Sequence, residues 1–311
     1  MTAPAAKTGP LHSIRRVLRF TAVMYKPHYL LYGILWVLAL EATAALVTAP
    51  DTAWRPSGAT AMRIAVVAIV LLYLRMVDEQ KDLDYDRVHN PDRPLVTGAV
   101  SATELRAAMA VIAVVSVAAS STLSAVSAVA IAAVLGYGLL LWALERVSAP
   151  VRTDILLNLA VTYPVQLLVT AYIVLSAIDT GEVAARPVAA VVALIFAGSF
   201  LQFEFARKTS REDRPGEMYY SNRLGANGST AAALVCAAVA VITDSALIRP
   251  WQEPAPRNLI AWLPLALLLI PATCALTFRR STDTDYPVVP AVLFILTLYL
   301  TLIAQALVLT G

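Results

Sequence analysis

The sequence predicts an all-α membrane protein, a polytopic bundle of nine transmembrane helices. Of its 311 residues, 59% are hydrophobic and only 14% are charged, whereas soluble domains carry about 25% charged residues. The mean hydropathy is +0.70. The apolar runs are each about 20 residues long, the length that a helix needs to cross a bilayer, so a helix bundle is favoured over a barrel. The lipid bilayer is the predicted environment, and no nucleic-acid partner is predicted.

The first two spans lead to the most polar part of the chain. Span one runs from about 20 to 49 and follows a basic segment that contains Arg15, Arg16 and Arg19. It is too long for a signal-peptide core and lacks a convincing cleavage site, so we predict that it is kept in the mature protein. Span two runs from about 59 to 77 and continues directly into a group of acids.

The middle three spans are predicted at about 102–118, 124–144 and 155–178. Ser101 and Glu104 form a capping box that starts the third helix. The fifth span contains Asn158, Tyr163 and Pro164. Polar groups at this depth must face the bundle interior or a wet cavity, and Pro164 is predicted to bend the helix.

The last four spans are predicted at about 187–205, 229–247, 259–278 and 288–309, which makes one integral membrane domain over residues 1–311. Cys236 and Cys274 lie inside apolar segments and far from any histidine. A disulfide or a zinc site is therefore not predicted, and both residues are interpreted as small core hydrophobes.

The distribution of Lys and Arg predicts the orientation. With the N-terminus inside, the cytoplasmic connections carry Lys81, Arg87, Arg93, Arg146, Arg152, Arg207, Lys208, Arg211, Arg214, Arg223, Arg279 and Arg280. The other side carries Arg55, Arg63, Arg186, Arg249 and Arg257. Because positive charge stays on the cytoplasmic side during insertion, we expect an N-in, C-out protein, in a bacterial-type plasma membrane, with both polar segments cytoplasmic.

An acidic motif follows the second span. Asp78, Asp82 and Asp86 are spaced four residues apart and Glu79 lies beside them, whereas Asp84 points elsewhere on a helix. Like charges at this spacing repel one another unless a hard cation such as Mg²⁺ lies among them. The ligand that such a cation most often bridges is a phosphate.

A second polar block follows span six. In it, Glu204, Lys208 and Glu212 would share one face of a helix. Arg75, just before the acidic motif, is open to two interpretations, a structural salt bridge or a phosphate contact. Asn158 and Tyr163 are equally open to a role in packing or in the site.

Two acid-bearing helix ends on one face of an apolar bundle suit a substrate with a charged diphosphate and an apolar tail, namely a prenyl diphosphate. Mg²⁺ would neutralise charge on the leaving diphosphate. The carbocation would need a dry pocket, in which aromatic faces can stabilise it.

The acidic motif resembles the UbiA superfamily of intramembrane prenyltransferases, which are nine-helix bundles with two Asp-rich motifs. The first family motif, Asn-Asp-x-x-Asp-x-x-x-Asp, falls on Asp78, Glu79, Asp82 and Asp86. Arg93-Pro94 and Thr97-Gly98 then close it as in the family.

The second family motif, Asp-x-x-x-Asp-x-x-x-Gly, falls on Lys208, Glu212 and Gly216, with Leu224-Gly225 nine residues on. Lys208 thus replaces a metal-binding aspartate. An ammonium cannot bind Mg²⁺ and would bind a diphosphate oxygen instead, so Glu204 and Asp213 are candidates to take over the coordination. Arg146 falls where the family often has a basic residue, whereas Glu145 occupies a place that is commonly Lys.

The resemblance and the charges together imply three sets of site residues. The implied Mg²⁺ ligands are Asp78, Glu79, Asp82, Asp86, Glu204, Glu212 and Asp213. The diphosphate-binding set is Arg75, Arg93, Arg146, Arg207, Lys208, Asn158 and Tyr163. The residues expected to be essential for catalysis are Asp82, Asp86, Glu212 and Lys208.

Two enzymatic functions remain open at this stage. A prenyltransferase would pass the carbocation to an acceptor, typically aromatic, whereas a terpene cyclase on the same scaffold would let the chain's own double bonds attack it. Both begin with the same ionisation. A transporter or lipid-binding bundle is disfavoured because the acids lie at helix ends on one side. For either polar block alone, the simplest interpretation would be a topology signal.

Overall fold

The computed structural model describes residues 9–310, and every regular element in that range is an α-helix. The helices are α1 (Pro10–Met24), α2 (Pro27–Thr48), α3 (Gly58–Lys81), α4 (Leu83–His89), α5 (Ala102–Ser121), α6 (Ala125–Val147), α7 (Ala149–Thr153), α8 (Ile155–Thr162), α9 (Pro164–Asp179), α10 (Val188–Val191), α11 (Ala193–Arg207), α12 (Ser221–Ile248), α13 (Asn258–Leu267), α14 (Leu269–Arg280) and α15 (Val288–Leu309).

Nine helical segments within residues 9–310 are long and apolar enough to cross a membrane, which confirms the predicted fold class. Six of them are single helices, whereas α8 with α9, α10 with α11 and α13 with α14 each form one span in two pieces. The break between α8 and α9 comes at Pro164, the first residue of α9. Helices α2 and α15 pack together at the centre, where Leu40 and Leu298 are fully buried.

The first span begins later than the sequence predicted. The predicted start at residue 20 is wrong, because residues 20–24 belong to the separate helix α1. Pro27 disfavours helical backbone at the residue before it, and Lys26 is accordingly extended, with φ −67° and ψ 154°. Helix α1 is amphipathic, and Leu11, Ile14 and Leu18 are exposed on it.

Helix α12 packs closely against α11 and begins earlier than predicted. It starts at Ser221 rather than at residue 229, and Gly225 interrupts it with a φ of 66°. A Cβ atom on Gly198 of α11 would lie 2.5 Å from the carbonyl oxygen of Cys236 on α12. The missing side chain therefore lets the two backbones touch, which fixes the helix that carries the second polar block.

Buried ionic contacts join α2, α3 and the segment after α9 at the end of the bundle opposite the acidic motif. Arg63 of α3 is 0% exposed and lies 2.8 Å from Glu41 of α2 and 3.1 Å from Glu182, which follows α9. The Arg63 guanidinium also donates to the Thr180 hydroxyl at 2.7 Å. Arg63 is thus an internal cation rather than the loop charge that the orientation argument assumed.

We expect Arg63→Met to lower the free energy of unfolding by about 3–5 kcal/mol, because it leaves Glu41 as an unpaired buried carboxylate. Thermal unfolding of the purified protein in detergent measures the change. The matched control is Arg55→Met, since Arg55 is exposed. Equal unfolding temperatures for the two variants would contradict the structural role of the ion pair.

Candidate active site

The two polar blocks meet at one end of the bundle. Lys208 directly follows α11, yet Lys81 and Asp82 at the end of α3 are close enough to influence its pKa. Burial lowers the pKa of Lys208, and Glu204 opposes that change. On α4, burial raises the pKa of Tyr85, and Glu217 from the second block adds to the increase. The predicted convergence of the two blocks is therefore present in the fold.

The acidic motif spans two helices rather than one. Asp82 lies between α3 and α4, with φ −91° and ψ 8°, so the single helical face predicted for Asp78, Asp82 and Asp86 is interrupted. Backbone hydrogen bonds from Asp82 to Asp78 and from Asp86 to Asp82, each 2.8 Å, keep the three residues in helical register. Asp84 points away, as predicted, and pairs with Arg87.

Two of the acids are buried and bound to arginines. Glu79 lies 2.6 Å from Arg75 and 2.9 Å from Arg93, and Arg93 also lies 2.6 Å from Asp86. Asn90 donates a further hydrogen bond to Asp86 at 2.9 Å. Of the two interpretations of Arg75, the structure shows the salt bridge. Arg93, implied to bind diphosphate, is likewise engaged by two carboxylates.

The other two acids remain accessible and share one lysine. The side chain of Asp78 is 49% exposed and that of Asp82 is 38% exposed. The Nζ atom of Lys81 lies 3.8 Å from Asp78, 3.6 Å from Asp82 and 3.0 Å from Glu145 of α6. Burial raises the pKa of Asp82 to about 7, with Lys81 opposing the increase and Asp78 and Glu145 adding to it.

Glu204 and its two basic neighbours form the second wall. Arg207 donates to both oxygens of Glu204, at 2.8 and 3.0 Å, and the Nζ atom of Lys208 lies 3.6 Å from Glu204. The same ammonium lies 5.5 Å from the ring centroid of Tyr220. Lys208 thus lies beside an acid and an aromatic face, near the acidic motif.

The helical face predicted for Glu204, Lys208 and Glu212 is wrong. Helix α11 ends at Arg207, and the following residues turn towards the 281–286 loop, where Ser210 pairs with Asp285. Glu212 and Asp213 are consequently exposed. Neither side chain contacts another site residue in the part of the chain that the structure describes.

Three further residues predicted to bind diphosphate, Arg146, Asn158 and Tyr163, lie in three different environments. Arg146 is exposed at the end of α6, and it is Arg152 that reaches this region, by donating to the backbone oxygen of Glu145 at 2.8 Å. Asn158 donates to the Glu145 carboxylate at 2.8 Å. The Tyr163 hydroxyl is buried and has no hydrogen-bond partner within residues 9–310.

Aromatic side chains lie deeper in the bundle. Phe196 lies about three helical turns before Arg207 on α11, and its ring centroid is 5.0 Å from that of Tyr299. The ring of Tyr32 on α2 is tilted against two others, with centroid distances of 5.9 Å to Tyr299 and 5.6 Å to Trp36. The polar end of the bundle therefore stands over an aromatic layer that can stabilise a cation by its π faces.

Comparison with solved structures identifies the architecture. The apo structure of a UbiA homologue from Aeropyrum pernix K1 is 19% identical, covers 88% of this chain and 96% of its own, and has a TM-score of 0.60. A structure of a digeranylgeranylglyceryl phosphate synthase is 12% identical, with coverages of 94% and 99% and a TM-score of 0.57. A UbiA homologue from Archaeoglobus fulgidus bound to GPP and Mg²⁺ is 16% identical, with coverages of 95% and 99% and a TM-score of 0.56.

The chain has the UbiA fold. The sequence itself matches no family model and no curated protein at a significant level. The similarity to these structures is therefore clear in the course of the backbone, whereas the amino-acid identity is low.

Within this UbiA fold, the implied ligand set does not come together as a metal site. No three carboxylate, imidazole or thiol side chains among residues 9–310 form a group that could hold a metal ion. The physical reason is that cations lie between the acids: Arg75 and Arg93 bind Glu79 and Asp86, and Arg207 binds Glu204. Of the seven implied ligands, Asp78 and Asp82 are the two that combine an open carboxylate with a position at the meeting point of the blocks.

Sequence reasoning missed Lys81 and Glu145 as a pair. Glu145 is 6% exposed at the end of a membrane span, and such a carboxylate needs a counter-charge. That requirement was visible in the sequence, but the pairing was not, because 64 residues separate the two side chains.

Proposed function

We propose that the chain belongs to the UbiA superfamily and is an intramembrane prenyltransferase. It would ionise a prenyl diphosphate and transfer the prenyl group to an acceptor, most naturally an aromatic ring. The observation that carries this proposal is the meeting of Asp82, Lys81 and Lys208 at one end of a UbiA fold, over an aromatic layer. The structures of Archaeoglobus fulgidus homologues bound to GPP or DMAPP with Mg²⁺ support it.

Two acids at this end, Asp78 and Asp82, could hold one divalent cation. Asp78 and Asp82 present accessible carboxylate oxygens, and Mg²⁺ in phosphate-binding sites is commonly held by one or two carboxylates together with phosphate oxygens and water. When bound, Mg²⁺ would neutralise the negative charge that develops on the leaving diphosphate.

The basic side chains would bind and orient the diphosphate. Lys208 is a compact charge that is free to rotate its three donors towards phosphate oxygens, and Arg207 beside it is 40% exposed. When the allylic C–O bond breaks, both electrons leave with the diphosphate, and these cations stabilise the charge. An aromatic acceptor then supplies the electron pair of the new C–C bond and loses a ring proton.

The aromatic layer would hold the prenyl tail and the carbocation. Tyr32, Phe196 and Tyr299 lie together in the interior, where they would help to exclude water from the cation and would offer it π faces. In this proposal, the polar end binds the diphosphate and promotes its departure, and the aromatic layer controls which group captures the carbocation.

Product analysis tests the transferase assignment. Purified protein with Mg²⁺ and geranyl diphosphate is expected to release diphosphate slowly, and 4-hydroxybenzoate or a dihydroxynaphthoate is expected to accelerate release and yield an adduct mass. The reason is that capture by an acceptor competes with return to the diphosphate. Rapid release without acceptor, together with a cyclic hydrocarbon or alcohol and no adduct, would instead identify a terpene cyclase. No diphosphate release under any condition would overturn both.

We also propose the N-in orientation, with the polar end cytoplasmic in a bacterial-type plasma membrane, on the excess of Lys and Arg in alternate connections. Alkaline phosphatase fused after residue 310 should then be active, and a fusion in the 281–286 connection should be inactive. The opposite pattern for the two fusions would reverse the orientation.

A further inference from the structure

The ammonium group of Lys81 lies among three carboxylates, those of Asp78 on α3, Asp82 just after α3 and Glu145 on α6. Its distances to Glu145, Asp82 and Asp78 are 3.0, 3.6 and 3.8 Å, and its side chain is 11% exposed. Carboxylates gathered around one point repel one another unless a cation lies among them. Here, the chain's own amine occupies that point.

The position of Lys81 is fixed from the far side. Glu145 is nearly buried, and Asn158 of α8 donates to the same Oε1 atom at 2.8 Å as Lys81 does at 3.0 Å. Asn158 is in turn held by the backbone oxygen of Val151 at 3.1 Å. A buried carboxylate without its counter-ion is strongly unfavourable, so Glu145 keeps the ammonium in the site.

We propose that the Lys81 ammonium takes the place of one divalent cation, so that the prenyl diphosphate is bound with a single divalent ion, held by Asp78 and Asp82. The inference rests on the proposed function. Each of these two acids has one oxygen near Lys81 and a second oxygen with no ion pair or hydrogen bond among residues 9–310. Those second oxygens are sufficient for one ion that also takes phosphate and water ligands.

A second divalent ion would find no free carboxylate ligands and would be repelled by the neighbouring cations. Glu79 and Asp86 are held by Arg75 and Arg93. Glu204 is held by Arg207, and Lys208 lies beside it. A second ion near Lys81 would also meet the repulsion of an ammonium that cannot act as its ligand.

Removing the ammonium should create the missing site. In Lys81→Gln, the carboxylates of Asp78, Asp82 and Glu145 face the vacated point from 3.0–3.8 Å. They would need to close in by about 1–2 Å to reach the Mg²⁺–oxygen distance of about 2.1 Å. A divalent ion would draw the carboxylates in, because like charges at this separation repel one another unless a cation lies among them.

Native mass spectrometry can count the ions directly. The purified protein is loaded with Mn²⁺ and geranyl S-thiolodiphosphate, an analogue that resists ionisation, and the ions that require the analogue are counted. The wild type is expected to retain one Mn²⁺ per analogue and Lys81→Gln two. Lys26→Gln is the matched control, because Lys26 is exposed at the start of α2, and Lys81→Arg keeps the charge; both are expected to retain one.

The outcomes separate this inference from the proposed function. Analogue bound with two Mn²⁺ in the wild type overturns the inference and leaves the proposed function standing. One Mn²⁺ in both the wild type and a folded Lys81→Gln overturns the role given to Lys81. If Lys81→Gln does not fold, the wild-type count is still decisive: one Mn²⁺ supports the single-ion inference and two overturn it. Failure of the wild type to bind the analogue at all overturns the proposed function and this inference together.

Discussion

Replacing Asp82 with asparagine is expected to lower kcat by about 100- to 1,000-fold while leaving the protein folded. Asp82 is one of the two accessible acids at the meeting point of the polar blocks, and its contact to Lys81 is at 3.6 Å. Asparagine keeps the shape but removes the charge that would hold a divalent cation. Initial rates of diphosphate release at saturating prenyl diphosphate and Mg²⁺ measure the effect.

The chain offers a matched control for this substitution two residues away. Asp84 has a side chain that is 94% exposed and pairs with Arg87 rather than with a site residue. Asp84→Asn should therefore retain nearly wild-type turnover. Comparable losses in the two variants, or near-normal turnover in a folded Asp82→Asn, would contradict the assignment of Asp82.

The sequence offers no reason to distinguish Asp82 from Asp86, whereas the structure places them in different environments. Both match an acidic position of the family motif, and nothing in their spacing distinguishes them. Asp86 is buried, with Arg93 at 2.6 Å and Asn90 at 2.9 Å, whereas Asp82 stands at a helix junction and remains open. Which acid is neutralised depends on where the 90–93 turn folds back, and that is a tertiary property.

The nine helices were predictable because the length and polarity of each apolar run report on a single local requirement, the thickness of a bilayer. The ends of helices were less so. The break at Lys26 is caused by Pro27. The proline is plain in the sequence, but the apolar residues on both sides of it suggested one continuous span. The end of α11 at Arg207 depends on contacts with the 281–286 loop, about 75 residues away. Residue spacing within one helix cannot predict contacts of this kind.

The ion pairs were the least predictable part. Lys81 with Glu145 and Arg63 with Glu182 join helices that are distant in sequence, and composition alone says only that buried charges need partners. The convergence of the two polar blocks was predicted from topology, since both follow even-numbered spans. The distribution of cations among the acids followed only from the packing of α3 against α6 and the course of the chain after α11.

Lys208 provides the second large expected effect. Its ammonium lies 3.6 Å from Glu204 and 5.5 Å from the Tyr220 ring, and burial lowers its pKa. A hydrogen bond to a charged group contributes about 1.5–3 kcal/mol. Lys208→Ala should therefore lower kcat/KM for the prenyl diphosphate by about 10- to 150-fold, since in the proposed site the ammonium would bind diphosphate oxygens rather than a metal.

The Mg²⁺ dependence distinguishes this role from a metal-ligand position. Because Asp78 and Asp82 are the proposed ligands, the Mg²⁺ concentration for half-maximal rate should change little in Lys208→Ala. Arg207→Ala is the necessary parallel variant, since Arg207 also contacts Glu204 and is 40% exposed; loss of its two hydrogen bonds to Glu204 frees that carboxylate and should disturb the Mg²⁺ dependence more. A Lys208→Ala enzyme whose main defect is a shifted metal requirement, with kcat/KM restored by excess Mg²⁺, would show that position 208 acts on the metal instead.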